Sequence, residues 1–202
     1  MGEAFLISLR MTVVTIVLTG LVYPLVTTAL AQTLFPEAAA GSLLRNERGE
    51  VIGSRLIGQG FGSPGYLQPR PSAAGADGYD AAGSSGSNLG PTSQKLHDRV
   101  AGDVARLRAA NPDAEAPVPE DLVTTSGSGL DPHLTPAGAL WQVPRIAKAR
   151  NVDPERVHQV IEANVEGRTF GLLGEPRVNV LRVNLALDRT FGTPVAPANG
   201  RP

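Results

Sequence analysis

Residues Met11 to Pro36 read MTVVTIVLTGLVYPLVTTALAQTLFP, twenty-six positions without one charged side chain. About 20 apolar residues cross a hydrocarbon core roughly 30 Å thick, so the run reads as a membrane-spanning helix with some tilt. In lipid a single segment can satisfy its own backbone polar groups only as a helix. Everything after Glu37 is too polar to enter a bilayer. The sequence therefore predicts one anchor and one water-exposed domain. The competing reading is a cleaved signal peptide, because Ala29-Leu30-Ala31 is a small-x-small pattern and Arg10 precedes the apolar run. A signal's apolar core is usually about 7–15 residues, however, and Leu34 and Phe35 prolong this one past the cut. Tyr23-Pro24 should kink the helix, since proline removes a backbone donor. Thr12, Thr15, Thr19, Thr27 and Thr28 can bond to the backbone or to a neighbouring helix, and Gly20 permits close approach.

Composition narrows the rest. A net charge of −1 and a pI near 6.3 give no electrostatic case for nucleic acid. With no cysteine, thiolate catalysis, disulfides and Cys-ligated metals are excluded. Gly 23 and Pro 17 against only nine aromatics indicate a loop-rich domain with a modest core. Arg10 before the span is offset by Glu3, and Arg45 and Arg48 follow it, so charge alone does not fix orientation.

Gly41 to Gly58 reads as a β-hairpin turning at Asn46-Glu47-Arg48-Gly49. Gly62 to Thr92 is rich in Gly, Pro and Ser, but Phe61, Tyr66 and Tyr79 punctuate it, which favours a long loop packed on the domain over a free linker. Leu96, Val100, Val104 and Leu107 form one helical stripe ended by Asn111-Pro112. Pro117 to Thr125 is a short apolar segment. A second helix is predicted from Thr135-Pro136 to about Arg150, broken locally by Pro144. Asp153-Pro154 opens a third, with Val157, Val160, Ile161 and Val165 on its buried face. Gly171 to Pro176 reads as a turn, and Arg177 to Asp188 as a final strand, the alternative being a strand that bends into a short helix. The tail from Gly192 reads as disordered.

Chemistry is sparse. Ser128, Asp131 and His133 are the residue types of a nucleophilic triad, but sequence neighbours rarely reach that geometry, and Ser126 spoils the Gly-x-Ser-x-Gly elbow. A glycine-rich turn capping the next helix is the plainer reading; an anion or nucleotide phosphate at that helix N-terminus is the other. No phosphate loop and no phosphorylated Asp-Lys-Thr-Gly motif occurs, and His97, His133 and His158 lack metal-ligand spacing.

Several stretches taken together resemble a known family. They are the span with its Tyr23-Pro24, Ile57-Gly58-Gln59-Gly60-Phe61, Tyr66-Leu67-Gln68-Pro69-Arg70-Pro71-Ser72-Ala73, and Gly86-Ser87-Asn88-Leu89-Gly90-Pro91. Asp121 to His133, Gly174-Glu175-Pro176-Arg177-Val178-Asn179-Val180-Leu181 and Asn184-Leu185-Ala186-Leu187-Asp188 complete the series. In this order, over residues 10 to 188, they closely resemble the C subunit of the bacterial Kdp potassium-transporting ATPase. Two departures stand out: Leu67 where the family commonly has an aromatic, and Pro144 inside a usually continuous Gln-x-x-Arg helix segment.

The resemblance implies an α+β protein, with one N-terminal transmembrane helix followed by a single mixed α/β extramembrane domain with long Gly/Ser/Pro-rich loops. It implies a cytoplasmic N-terminus at 1–10, a retained transmembrane helix at 11–35, an extracytoplasmic domain at 37–190 and a disordered tail at 191–202. Partners would be a potassium-channel-like subunit, an ATP-hydrolysing P-type subunit and a small single-span subunit in the inner membrane. The role implied is assembly and stabilisation, with a proposed effect on the hydrolytic subunit's ATP affinity through a glycine-serine motif. The chain would have no catalytic residue, metal ligand or firm cofactor of its own, with ATP reached through the complex. Ser126, Gly127, Ser128 and Gly129 are the positions nearest a nucleotide role. Gly20, Tyr23, Pro24, Gln59, Asn88, Asp131 and His133 are the candidate partner contacts. The alternative is a membrane-anchored serine hydrolase using Ser128, Asp131 and His133.

Overall fold

The structure is a computed structural model that describes residues 2–46 and 48–194. By internal contacts the chain divides into two compact units, Met1–Ile52 and Gly53–Pro202.

In the first unit, Gly2–Leu34 is one continuous helix of 33 residues, long and apolar enough to cross a membrane. It begins nine residues ahead of the uncharged run and consists of α1 (Gly2–Val17), a π-helical turn (Leu18–Val22) and α2 (Tyr23–Leu34). The π turn has an identifiable cause. Pro24 has no N–H for the Gly20 carbonyl, and the turn before it widens so that the Tyr23 N–H donates to Leu18 O, five residues back. The threonines bond back to their own helix: Thr19 Oγ1 donates to Thr15 O at 2.8 Å and Thr27 Oγ1 to Tyr23 O at 2.8 Å. A short α3 (Pro36–Ala39) follows. The predicted hairpin is present as β1 (Leu43–Arg45) and β2 (Val51–Ser54). Asn46 shapes its turn by accepting from Arg48 N at 3.0 Å and Glu50 N at 2.9 Å through its side-chain oxygen. Glu47 at that turn lies outside the described residues, as does most of the predicted disordered tail, 195–202.

The second unit begins with a long irregular stretch, without helix or strand from Arg55 to Ser93, which packs on the domain as expected and buries Leu67 and Ala74 completely. α4 (Gln94–Ala110) carries the predicted stripe and buries Leu107, and a 3₁₀ turn (Glu120–Leu122) buries Asp121 and Leu122. β3 (His133–Leu134), β5 (Arg177–Asn179) and β4 (Val165–Glu166) form an antiparallel sheet in the order β3-β5-β4, with Val178 facing Leu134 on one side and Val165 on the other. α5 (Pro136–Leu140) and α8 (Val180–Phe191) pack against it, and α7 (Pro154–Glu162) packs on both of them and on α6 (Val143–Arg150). The core joins Leu67, Leu107, Trp141, Ile146, Val157, Ile161, Val178, Val183 and Leu187.

Local sequence explains most boundaries. The long second helix divides into α5 and α6 because Pro144 cannot donate to Leu140, as its position foretold. Asp153 caps α7, its Oδ1 accepting from Glu155 N at 2.8 Å. Val165 is a correction: α7 stops at Glu162, and Val165 lies on β4. The final strand is a correction too, in favour of the bent alternative. Only Arg177–Asn179 is strand; the Asn179 side chain then accepts from Arg182 N and starts twelve residues of helix. Val180, Val183, Asn184 and Leu187 recur at helical spacing and are all buried, which outweighs the alternation seen in the sequence.

Among the described residues the irregular segment Pro64–Gln68 has no strand partner, and side chains from α8, α6 and the N-cap of α6 take that place. Asn184 accepts from Leu67 N at 2.7 Å and donates to Leu67 O at 2.9 Å. Gln142 accepts from Gln68 N at 2.9 Å and donates to Gln68 O at 3.0 Å. Arg145 donates to Pro64 O at 2.5 Å, Tyr66 O at 3.1 Å and the Gln142 amide oxygen at 2.6 Å. Burial lowers the Arg145 pKa to about 10, which still leaves it charged at neutral pH. Arg150 donates to Gly65 O at 2.7 Å, pairs with Asp188 at 2.8 Å and lies 5.2 Å over the Tyr66 ring. Burial and the hydrogen bond to Asp188 push the Tyr66 phenol up to about 12.

Asn184→Ala strands both the N–H and the C=O of Leu67 in a buried setting. At roughly 1–3 kcal/mol for each of the two unsatisfied groups, the expected loss is about 2–6 kcal/mol. Urea unfolding of the full chain in detergent, followed by fluorescence of the single tryptophan Trp141, measures it. Asn46→Ala, in the exposed hairpin, should cost under about 1 kcal/mol.

Candidate functional site

Four of the motif stretches converge. Ser85 N donates to Ser128 O at 2.9 Å and Ser84 Oγ to the same oxygen at 3.0 Å, joining the two glycine-serine loops. Gly129, at φ +67°, lies so close that a Cβ would stand 2.5 Å from Ser85 O and 2.7 Å from Ala74 N, so no side chain fits. Ser72 Oγ donates to Gly129 O at 2.6 Å and accepts from Tyr79 N at 2.7 Å. Gly58 N donates to Leu130 O at 2.7 Å, bringing in the Ile57–Phe61 stretch. Tyr79 donates to Arg70 O at 2.5 Å, and burial pushes its phenol up to about 12.

At the centre lies Asp131. Its Oδ2 pairs with Arg70 Nη1 at 3.2 Å, while Oδ1 accepts from His133 N at 3.0 Å and faces His133 Nδ1 at 3.2 Å. Burial works to raise the carboxyl pKa, but the hydrogen bonds from the His133 side chain and backbone, with the charges of His133 and Arg70, hold it below the ordinary range. Arg70 also reaches Thr124 through its O and Oγ1, both at 3.4 Å.

This arrangement brings Asp131 and His133 together and leaves Ser128 out. Ser128 Oγ accepts from Leu130 N at 3.1 Å and meets Ser126 Oγ at 3.4 Å; among the described residues no hydrogen bond joins it to His133. A serine nucleophile needs a base within hydrogen-bond reach, which this geometry does not provide. The loop also engages its own donors, since Gly129 N is taken by Ser126 Oγ at 2.9 Å. Beside it opens a cleft of about 450 Å³ that includes Ser87, Lys95, Arg99 and Asp103, where Arg99 Nε and Nη1 have no hydrogen-bond partner among the described residues. Among the described residues no group of three or more His, Asp or Glu is placed to hold a metal.

The other candidates are scattered. Gln59 lies where a Cβ on Gly53 would fall, Asn88 is exposed at φ 51°, and Gly20, Tyr23 and Pro24 lie in the long helix. Arg70, the cation that orders Asp131, sits in a quoted motif and was not singled out; its signal was a charged residue between two prolines in an otherwise uncharged stretch. Leu172 and Leu173, in the predicted turn Gly171 to Pro176, and Phe170 just before it are 78%, 64% and 89% exposed.

The molecule is thus a chain with one span-length helix and an α+β domain whose convergent polar groups bind one another. Residues 5–189 match the family model for KdpC, the K+-transporting ATPase c chain. The chain belongs to that family. Among its relatives is the potassium-transporting ATPase KdpC subunit of Myxococcus xanthus, 65% identical over 192 residues, or 95% of this chain and 90% of the relative. Those of Methylobacterium nodulans and Koribacter versatilis are 58% and 52% identical, over 87% and 96% of this chain and 91% and 98% of theirs.

Because the folded pKa of Asp131 lies below its unfolded value of about 3.9, its stabilising effect is complete above that value and lost as pH falls through the folded one. Asp131→Asn should therefore destabilise the chain at pH 7, and the difference from the unmodified protein should shrink as pH falls below about 3.9 and through the lowered folded value. Thermal unfolding followed by Trp141 across pH 2–7 checks this; parallel curves would contradict it.

Proposed function

We propose that this chain is a non-catalytic accessory subunit of an ATP-driven potassium-uptake complex. Its single span starts on the cytoplasmic side and its domain lies outside the inner membrane. The partners are a potassium-channel-like subunit, a P-type subunit that hydrolyses ATP and a small single-span subunit. The observation that carries the reading is the family match, which runs through both the span and the domain. The geometry supports the non-catalytic part: the triad residues are engaged in pairs and turns, with Asp131 committed to Arg70 and His133.

The domain acts as a preformed surface. Glycines at Gly58, Gly86 and Gly129 let backbone approach backbone, and Arg70, Ser72 and Tyr79 lock the loops from behind. A rigid surface lowers the ordering cost of association, which suits a stabilising subunit. A domain outside the membrane meets no cytosolic ATP, so any effect on nucleotide affinity passes through the membrane subunits. Such coupling needs an element with two states biased by both sites.

The long helix is the other half of the role. Almost every residue in it is exposed in the chain alone, and the π turn contains Gly20, whose missing side chain permits close approach of a neighbouring helix. A Cβ on Gly20 would meet only Ile16, at 3.9 Å, so the chain itself tolerates a larger residue there. Gly20→Leu should leave the fold intact and reduce copurification of the ATPase and pore subunits several-fold in detergent, with a parallel fall in potassium-dependent ATP hydrolysis. Ser128→Ala should change neither. Failure of the unmodified chain to bring down those subunits would sink the reading.

A further inference from the structure

α4 turns a basic edge toward the glycine-serine loops. Lys95, Arg99 and Asp103 recur every four residues, so they share one face of the helix, and all three line the cleft of about 450 Å³. The facing wall includes Gly86, Ser87 and Thr125.

The charges of this cleft are unequally answered. The Asp103 carboxylate is taken by Arg106, whose Nη2 donates to Oδ1 at 3.0 Å. Asp98, the other acid in α4, accepts from Gln94 Nε2 at 2.8 Å. Among the described residues neither Lys95 nor Arg99 forms an ion pair, and Arg99 Nε and Nη1 are covered without a hydrogen-bond partner. A cation left in this way is costly, since burial removes its hydration and nothing replaces it. The outer torsions of arginine move between staggered wells, so the guanidinium can deliver those donors to a ligand in the cleft it already lines. The helix adds to the field. Its first turn holds no acidic residue and the Ser93 hydroxyl makes no capping bond, so the partial positive charge of the N-terminus stands beside Lys95 unopposed. On the facing wall the hydroxyls of Ser87 and Thr125 also have no partner among the described residues.

Two unpaired cations beside two free hydroxyls call for a ligand with close to two negative charges and several acceptor oxygens. A metal ion is repelled by the same cations. A carboxylate brings one charge and two oxygens, half of what the cleft can answer. A phosphate group carries about −1.5 to −2 at neutral pH and three acceptor oxygens.

We propose that the cleft between α4 and the Gly86-Ser87 turn binds a phosphate group, free or carried on a small molecule. Arg99 and Lys95 are its charged contacts, and Ser87 and Thr125 supply hydroxyl donors. The turn at 126–129 is not its cradle, because Gly129 N is already taken by Ser126 Oγ. This site goes beyond the assembly role and needs no other subunit.

Calorimetric titration of the full chain in neutral detergent, at neutral pH and constant ionic strength, tests the site with inorganic phosphate and with glycerol 3-phosphate. At least one should bind saturably, and the tighter of the two shows whether the phosphate is free or carried. Arg99→Gln and Lys95→Gln should each weaken that binding by about ten- to hundredfold, the worth of a hydrogen bond to a charged group. Lys148→Gln, which removes a cation from the other cleft, should leave it unchanged. Without phosphate, the thermal midpoint of Arg99→Gln reported by Trp141 should not fall, because the lost cation answers no group of the protein. A lowered midpoint would make Arg99 a structural residue and overturn the site. So would absence of saturable binding to both probes, binding undiminished in the Arg99 and Lys95 variants, or an equal loss in Lys148→Gln.

Discussion

Everything in the water-exposed domain depends on how Pro64–Gln68 satisfies its backbone. A buried segment with no strand beside it would ordinarily leave several N–H and C=O groups stranded, each a penalty of about 1–3 kcal/mol. Here three side chains act as the missing strand. The Asn184 amide matches the donor and acceptor of Leu67, Gln142 does the same for Gln68, and Arg145 caps the carbonyls of Pro64 and Tyr66. With those groups answered, Leu67 can enter the core, fully buried, and bring the motif Arg70–Ser72 to the base of the glycine-serine loops. The break in the helix at Pro144 belongs to this scheme. It ends α5 at Leu140 and places Gln142 at the start of α6, where its side chain turns inward.

The same economy governs the polar centre. Asp131 pairs with Arg70 and His133, the serine hydroxyls bond nearby backbone, and the glycines between them admit backbone where a side chain would collide.

Much of this was legible in the residues. The span, the α4 stripe, the Asp153 cap and the break at Pro144 all follow from local rules of periodicity, capping and missing donors. The recurring motifs located the stretches that meet at Asp131. What escaped was whatever depends on distant partners. Arg177 to Asp188 alternates well enough for a strand, yet Asn179 as a cap and the helical spacing of Val180, Val183 and Leu187 decide otherwise. Val165 fits a helix face by spacing, but pairing with Val178 draws it into the sheet. The exposure of Phe170 could not be seen, because the turn predicted at Gly171 to Pro176 says nothing of it and exposure is a property of the fold.

The clamp on Pro64–Gln68 has a consequence for how such a domain comes into being. Its partners lie far along the chain: Gln142 follows Gln68 by 74 positions, and Asn184 follows Leu67 by 117. A chain emerging N-terminus first would expose Leu67 and its neighbours long before α8 exists to receive them. Contacts of such separation close late, after the cost of ordering the intervening loop has been met. The domain therefore cannot mature piecemeal from its front end, and its last helix acts as the latch. A chain shortened by even those final turns would lose its middle as well as its end, so that only full-length copies would present a finished surface to the rest of the pump.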